Sequence, residues 1–199
     1  LVPQVVYYFA AYAQLLRAGA IEAGDTVEFC VPTGNFGDIL AGYYAKQMGL
    51  PVGKLVCASN ENNVLTDFLT TGTYTAKREF FKTTSPSMDI LVSSNLERLL
   101  YHVTGSDAEV AGFMQQLAAT GSYTVRPETL AAIQETFSCG WSSEAEVAGE
   151  IRSHRRGLPC GCTEKAAGRA HGGAFHRIAL QVPPQCAERT GQSCPGKRF

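Results

Sequence analysis

Hydrophobic positions near the start of the chain recur with the period of an α-helix. Val5, Phe9, Tyr12 and Leu16 fall on one face of such a helix, and Gly19 follows its last apolar position. The sequence therefore predicts that a helix lies against the core at the beginning of the chain.

The next apolar stretches are short runs of the kind that form buried strands. Residues 26–31 and 54–59 predict two strands, and residues 39–48 between them have the helical period and end before Gly49 and Pro51. A strand, a helix and a second strand of these lengths form a βαβ unit, which places the two strands side by side and parallel. The fold class that we predict is α/β, with a parallel sheet flanked by helices.

The period of 3.6 residues returns in the second half of the chain. It predicts helices at residues 60–69, 94–103, 108–119, 127–137 and, more weakly, 142–151. Beyond Ile151 neither the helical nor the strand period persists. We therefore expect two parts, a folded body over residues 1–151 and an aberrant tail over residues 152–199.

Charge separates the same two parts. The net charge of −1 conceals 16 acidic and 8 basic side chains in residues 1–151, against 2 acidic and 9 basic side chains in residues 152–199. A basic segment with so little apolar periodicity offers little buried surface to offset the entropy lost on ordering. We expect the tail to be disordered.

Apolar content and cysteine usage limit the location of the protein. The longest apolar run, residues 5–16, is too short to span a bilayer and follows no charged segment, so it predicts neither a membrane helix nor a signal peptide. The seven cysteines show no paired spacing in the body. This usage is typical of a reducing compartment, and we expect a cytoplasmic protein that does not bind a membrane.

The most specific chemistry lies in the turn between the first strand and the following helix. The turn contains Gly34, Asn35, Phe36, Gly37 and Asp38. A glycine-rich turn at a helix N-terminus directs free backbone N–H groups and the positive end of the helix dipole at an anion. We predict a phosphate-binding loop, although an ordinary strand-to-helix turn without a ligand has the same pattern.

Individual side chains of this turn have expected parts in the loop. Gly34 would let the backbone approach a ligand closely, and Thr33 or Asn35 would cap the helix. The Asp38 carboxylate would repel a phosphate, so we expect its backbone N–H to contribute while the carboxylate turns away.

Polar side chains also follow the second strand. Asn60, Asn62 and Asn63 lie where ligands of open α/β sheets bind, but we prefer the interpretation that Asn60 caps the next helix and that Asn63 is exposed. Residues 85–89 form a polar turn that would face the same cleft.

The tail offers an alternative function. Its soft metal ligands and its basic charge are compatible with a zinc- or nucleic-acid-binding module on the α/β body, although the ligand spacing matches no standard zinc finger. The candidate ligands are Cys160, Cys162, His171, His176, Cys186 and Cys194. We assign no metal site on this evidence.

Several stretches of the body resemble threonine synthase, a pyridoxal-phosphate enzyme of the tryptophan-synthase-β fold type. They read VPTGNFGDILAGYYAK (residues 31–46), ASNENNVL (58–65), SPSMDI (85–90) and SNLER (94–98). The resemblance implies that Gly34, Asn35, Phe36, Gly37 and Asp38 bind pyridoxal 5'-phosphate (PLP), chiefly its phosphate. It also implies conversion of O-phosphohomoserine and water to threonine and phosphate.

The resemblance further indicates that the chain is a C-terminal fragment. The Schiff-base lysine of the family lies upstream of this loop, whereas no lysine precedes Lys46 here. We therefore expect the chain by itself to be inactive, and we assign no catalytic residue.

A frameshift explains the tail. Family members end with a segment like Leu-Ser-Thr-Ala-Ser-Pro-Tyr-Lys-Phe-Pro, and this segment appears when residues 168–199 are back-translated with permitted codons and read one base later. A ten-residue motif rarely emerges by chance from such a shift. We infer a frameshift shortly after Ile151, so that the cysteines, histidines and basic charge of the tail are accidents of translation.

Overall fold

A computed structural model describes residues 1–147 and 179–181 of the chain. Within these residues lie six α-helices, six strands and two short 3₁₀-helices. In chain order the α-helices and strands are α1 (Val5–Arg17), β1 (Val27–Pro32), α2 (Gly37–Gln47), β2 (Val52–Ser59), α3 (Val64–Thr71), β3 (Thr73–Thr75), α4 (Leu96–Thr104), α5 (Asp107–Thr120), β4 (Ser122–Thr124), α6 (Pro127–Thr136), β5 (Phe137–Trp141) and β6 (Ala179–Gln181).

The main sheet has the strand order β5-β2-β1-β6. Strands β1, β2 and β5 are parallel, with Val31 opposite Cys57 and Cys57 opposite Cys139. The predicted α/β class and βαβ unit are confirmed. Strands β3 and β4 form a separate antiparallel pair.

Strand β5 was not predicted. Its sequence, Phe-Ser-Cys-Gly-Trp, directly follows α6 without a turn, and the helical period of residues 127–137 continues into it. The strand alternation is only five residues long, and its pairing partner β2 lies about 80 positions earlier, with Leu55 opposite Phe137. Its place in the sheet depends on contacts that no local pattern contains.

The last strand, β6, pairs antiparallel with β1, with Leu180 opposite Phe29. Residues 179–181 thus form an edge strand of the sheet, although the sequence predicts no ordered element in this segment. The rest of the expected tail and its six candidate zinc ligands lie outside the described residues. Residues 144–147 are helical, and the remainder of the helix expected at 142–151 also lies outside them.

Tyr8 joins α1 to both the sheet and α2. Its ring is fully buried and lies 4.9 Å from that of Phe29 on β1, while its hydroxyl donates a 2.8 Å hydrogen bond to the backbone oxygen of Asp38. This packing holds the N-terminal turn of α2 in place relative to the sheet. Among the described helices, none combines the length and the apolar character needed to cross a membrane.

Candidate functional site

The predicted phosphate-binding loop lies at the carboxyl end of β1 and leads into α2. Strand β1 ends at Pro32 and α2 begins at Gly37. The first backbone N–H groups of a helix have no acceptor within that helix, so those at the start of α2 present donors and partial positive charge at the loop.

Phe36 is the N-cap of α2 and adopts an unusual backbone conformation. Its φ of 59° is in the left-handed region, and it is the single non-glycine residue with positive φ among those described. Its side chain is fully buried, with its ring 5.5 Å from the ring of Phe137 on β5. Packing of this ring compensates for a conformation that costs about 1–3 kcal/mol and that is found mainly at functional sites.

The expected helix caps are wrong. Phe36, the N-cap, makes no side-chain capping hydrogen bond. The Thr33 hydroxyl instead donates to the backbone oxygen of Val31 at 2.6 Å, and the Asn35 Oδ1 accepts from the backbone N–H and the hydroxyl of Ser94 at 2.7 and 2.9 Å. These side chains shape the loop itself and leave the helix N–H groups to other acceptors.

The two glycines of the loop are required by its close contact with other parts of the chain. A Cβ on Gly34 would lie 3.0 Å from the Cα of Met88 and 3.2 Å from the backbone oxygen of Ser87. A Cβ on Gly37 would lie 3.3 Å from the Nδ2 of Asn95. The space beside Gly34 is therefore occupied by protein backbone, which is a different reason for the glycine from the ligand approach that we expected.

Asp38 is buried in the first turn of α2, where its charge is favourable to the helix dipole. Burial, followed by the nearby Asp38 charge, raises the pKa of Tyr8 well above its ordinary value. The Tyr8 hydroxyl therefore stays protonated and donates to the Asp38 backbone oxygen, which fixes the start of α2.

A cavity of about 730 Å³ opens over this loop. All five predicted site residues, Gly34 to Asp38, line it. Ser87 lines it as well, in agreement with the expected position of the polar turn at residues 85–89. Asn95 and Arg98, which the sequence did not single out as site residues, complete its polar wall.

The expected helix cap at Asn60 is wrong, and the Asn60 and Asn62 side chains support a loop of the chain. Asn63, and not Asn60, is the N-cap of α3. Both Asn60 and Asn62 are buried and donate through Nδ2 to Oδ1 of Asp89, at 2.8 and 2.9 Å. They hold residues 83–89 in position, and through Ser87 they shape one side of the cavity.

Asp89 is consequently a stabilising carboxylate, and its contribution should depend on pH. Burial alone would raise its pKa, but hydrogen bonds from Thr83, Asn60 and Asn62 outweigh burial and hold the pKa below the ordinary value of 3.8. Because the folded-state pKa is lowered, the stabilisation is present above pH 3.8 and is lost as the pH falls below it.

We expect Asp89→Asn to lower the free energy of unfolding most at about pH 5–7. The difference in this free energy between the variant and the unaltered chain should become smaller towards about pH 3. Urea unfolding of both proteins across this range measures the difference. A difference that does not change with pH would contradict this account of Asp89.

Comparisons with known proteins point to one family. The chain is 44% identical over 155 residues to human "Threonine synthase-like 1", and the aligned part covers 77% of this chain and 21% of that protein. It is 42% identical over 155 residues to threonine synthase of Schizosaccharomyces pombe, covering 67% of this chain and 30% of that enzyme. No protein-family model matches the chain.

A solved structure has the same fold. The crystal structure of PLP-bound threonine synthase from Brucella melitensis superposes with a TM-score of 0.67 at 45% sequence identity, covering 79% of this chain and 33% of that one. The chain thus spans between a fifth and a third of the length of these relatives. By its sequence and its fold, this chain belongs to the threonine synthase family, of whose members it spans a part.

Proposed function

We propose that the chain forms the phosphate-binding part of a PLP-dependent threonine synthase, which converts O-phosphohomoserine and water to threonine and phosphate. The observation that carries the proposal is the cavity formed where the carboxyl end of β1 meets the N-terminus of α2. Membership of a family whose Brucella relative is PLP-bound supports the choice of ligand.

The residues that line the cavity fit a phosphate group. The N-terminal N–H groups of α2 and the dipole of that helix favour an anion, and the left-handed Phe36 joins the loop to them. We propose that Gly34, Asn35, Phe36, Gly37 and Asp38 hold the cofactor phosphate, mainly through backbone N–H groups. Asp38 would contribute its N–H, because its backbone oxygen is taken by Tyr8 and its carboxylate would repel the ligand.

When bound, PLP would supply an electron sink for carbanions of the substrate. The task of this part of the chain is to hold the phosphate and thereby to orient the cofactor. We propose that residues 1–151 belong to the PLP-binding domain and that the lysine which binds the cofactor covalently comes from another part of the enzyme, since the chain spans only between a fifth and a third of its relatives' length.

We further propose a cytoplasmic location and a small-molecule substrate with no nucleic-acid partner. The three cysteines in the described part, Cys30, Cys57 and Cys139, are free thiols, as is usual in a reducing compartment.

Activity tests this assignment most directly. The 199-residue chain alone should form no threonine from O-phosphohomoserine. A protein that adds the lysine-bearing part of the Brucella relative upstream, and carries the shifted reading frame after Ile151, should release phosphate and threonine in equal amounts. The same protein with the added lysine changed to alanine is the matched control. If the extended protein folds and binds PLP but releases no phosphate, the assignment is wrong.

A further inference from the structure

Residues 93–95, which directly precede α4, donate hydrogen bonds to the acceptor groups of the loop. The Ser93 hydroxyl donates to the backbone oxygen of Gly34 at 2.5 Å, and the Asn95 Nδ2 donates to the backbone oxygen of Asn35 at 2.9 Å. Together with Ser94, which donates twice to the Asn35 Oδ1, residues 93–95 engage both backbone carbonyls and the side chain at this turn.

These bonds also fix the direction of two N–H groups. In a trans peptide the carbonyl and the following N–H point in opposite directions. Fixing the carbonyls of Gly34 and Asn35 on residues 93–95 therefore directs the N–H groups of Asn35 and Phe36 away from that segment. The loop is pre-organised by contacts that span about 60 residues of sequence.

Asn95 makes a second contact with the other end of its amide. Its Oδ1 accepts a hydrogen bond from the Nη1 of Arg98, one turn along α4. Arg98 is the one cationic side chain among the described residues that line the cavity. A guanidinium has five N–H donors in a fixed plane, so a bond at one nitrogen orients the others.

We propose that Asn95 is a positioning residue of the anion site: it holds the Asn35 carbonyl with one end of its amide and directs Arg98 at a phosphate monoester in the cavity with the other. Arg98 is then a further binding residue, which contributes charge-assisted hydrogen bonds to the phosphate. This inference rests on the proposed function, because it assumes a phosphate ligand in the same cavity. The phosphate is that of the cofactor or that of the substrate.

The packing around Asn95 supports a positioning role. Its Nδ2 lies where a Cβ on Gly37 would be only 3.3 Å away, so the glycine leaves room for this amide. Arg98 is exposed, and its loss removes little packing. The two residues can therefore be changed separately, one acting on the loop and one on the charge of the cavity.

Calorimetric titration of the 199-residue chain with inorganic phosphate tests the proposal. Asn95→Ala and Arg98→Gln should each weaken phosphate binding by about ten- to a hundredfold, the usual effect of losing a hydrogen bond to a charged group. Arg17→Gln, which removes an exposed arginine at the end of α1, is the matched control and should bind as the unaltered chain does.

The double variant separates positioning from simple loss of stability. Because Asn95 acts partly through Arg98, the combined effect of Asn95→Ala and Arg98→Gln should be smaller than the product of the two single effects. Asn95→Asp keeps an acceptor for Arg98 but loses the donor to Asn35, and it should also weaken binding. The thermal midpoint of each variant is measured alongside, and Arg98→Gln should leave it unchanged.

Three outcomes would overturn the inference: unchanged phosphate affinity in Arg98→Gln, unchanged affinity in Asn95→Ala, or single effects that multiply fully in the double variant. If the unaltered chain binds neither phosphate nor PLP, the proposed cofactor site is overturned as well. A repeat titration with phosphate in saturating PLP identifies the source of the ligand. Arg98-dependent binding that persists indicates the substrate phosphate, and binding that disappears indicates the cofactor phosphate.

Discussion

Replacing Phe36 with alanine is expected to lower the free energy of unfolding by about 3–5 kcal/mol, the usual cost of truncating a buried phenylalanine. The Phe36 side chain is fully buried, and its ring lies 5.5 Å from that of Phe137. Alanine keeps the Cβ that makes a positive φ unfavourable, so this variant loses the packing and retains the strain.

Glycine at the same position removes the Cβ too. We therefore expect Phe36→Gly to be at least as stable as Phe36→Ala, the reverse of the usual order. Urea unfolding measures both variants. Phe80→Ala, at an exposed aromatic, is the control and should change the free energy of unfolding by no more than about 0.5 kcal/mol. A glycine variant clearly less stable than the alanine variant would show that the φ of Phe36 is not strained.

Gly42→Ala should destabilise the chain by about 1–3 kcal/mol, even though alanine is the better helix former. Gly42 lies within α2, and a Cβ there would be 2.6 Å from the Cε1 of Tyr8 and 3.0 Å from the Cδ2 of Leu55. The buried Tyr8 ring cannot move aside easily, because its hydroxyl is bonded to the Asp38 backbone oxygen. The added methyl group should therefore displace α1 from α2.

Gly112→Ala is the matched control and should change the free energy of unfolding in the opposite direction. Gly112 lies within α5, and a Cβ there would have no other atom within 4 Å. Alanine should stabilise this helix by roughly 0.5–1 kcal/mol. Thermal unfolding of both variants measures the contrast. A shift of the same sign at both positions would mean that helix propensity, and not the contact with Tyr8, decides the effect at Gly42.

Local patterns predict most of the helices within a few residues. The helix predicted at residues 108–119 is α5 (Asp107–Thr120), and the strand predicted at residues 54–59 is β2 (Val52–Ser59). The helix predicted at residues 60–69 begins four residues late, at Val64, because Asn60 and Asn62 are engaged by Asp89. The hydrogen bonds to Asp89 join residues 29 and 27 positions apart, and no local pattern contains them.

The site was predictable in part. The alternation of strand, glycine-containing turn and helix points to residues 34–38, because that pattern is continuous in the sequence. The sequence points to Asn95 and Arg98 only through the family resemblance of residues 94–98, since a short Asn-Leu-Glu-Arg stretch at a helix start carries no sign of what it contacts. Their place beside the loop is set by hydrogen bonds between residues 59 and 60 positions apart.

The amino-acid sequence was sufficient for the α/β class, the parallel βαβ unit and the position of the glycine-containing turn at the start of α2, because hydrophobic period and turn chemistry act over neighbouring residues. The tertiary structure decided which groups of that turn are hydrogen-bonded by distant segments of the chain. It placed residues 93–95 against the Gly34 and Asn35 carbonyls, Met88 beside Gly34, and Phe36 in the left-handed region. These features depend on packing between distant segments, whose free energy arises only when the whole sheet and its helices come together.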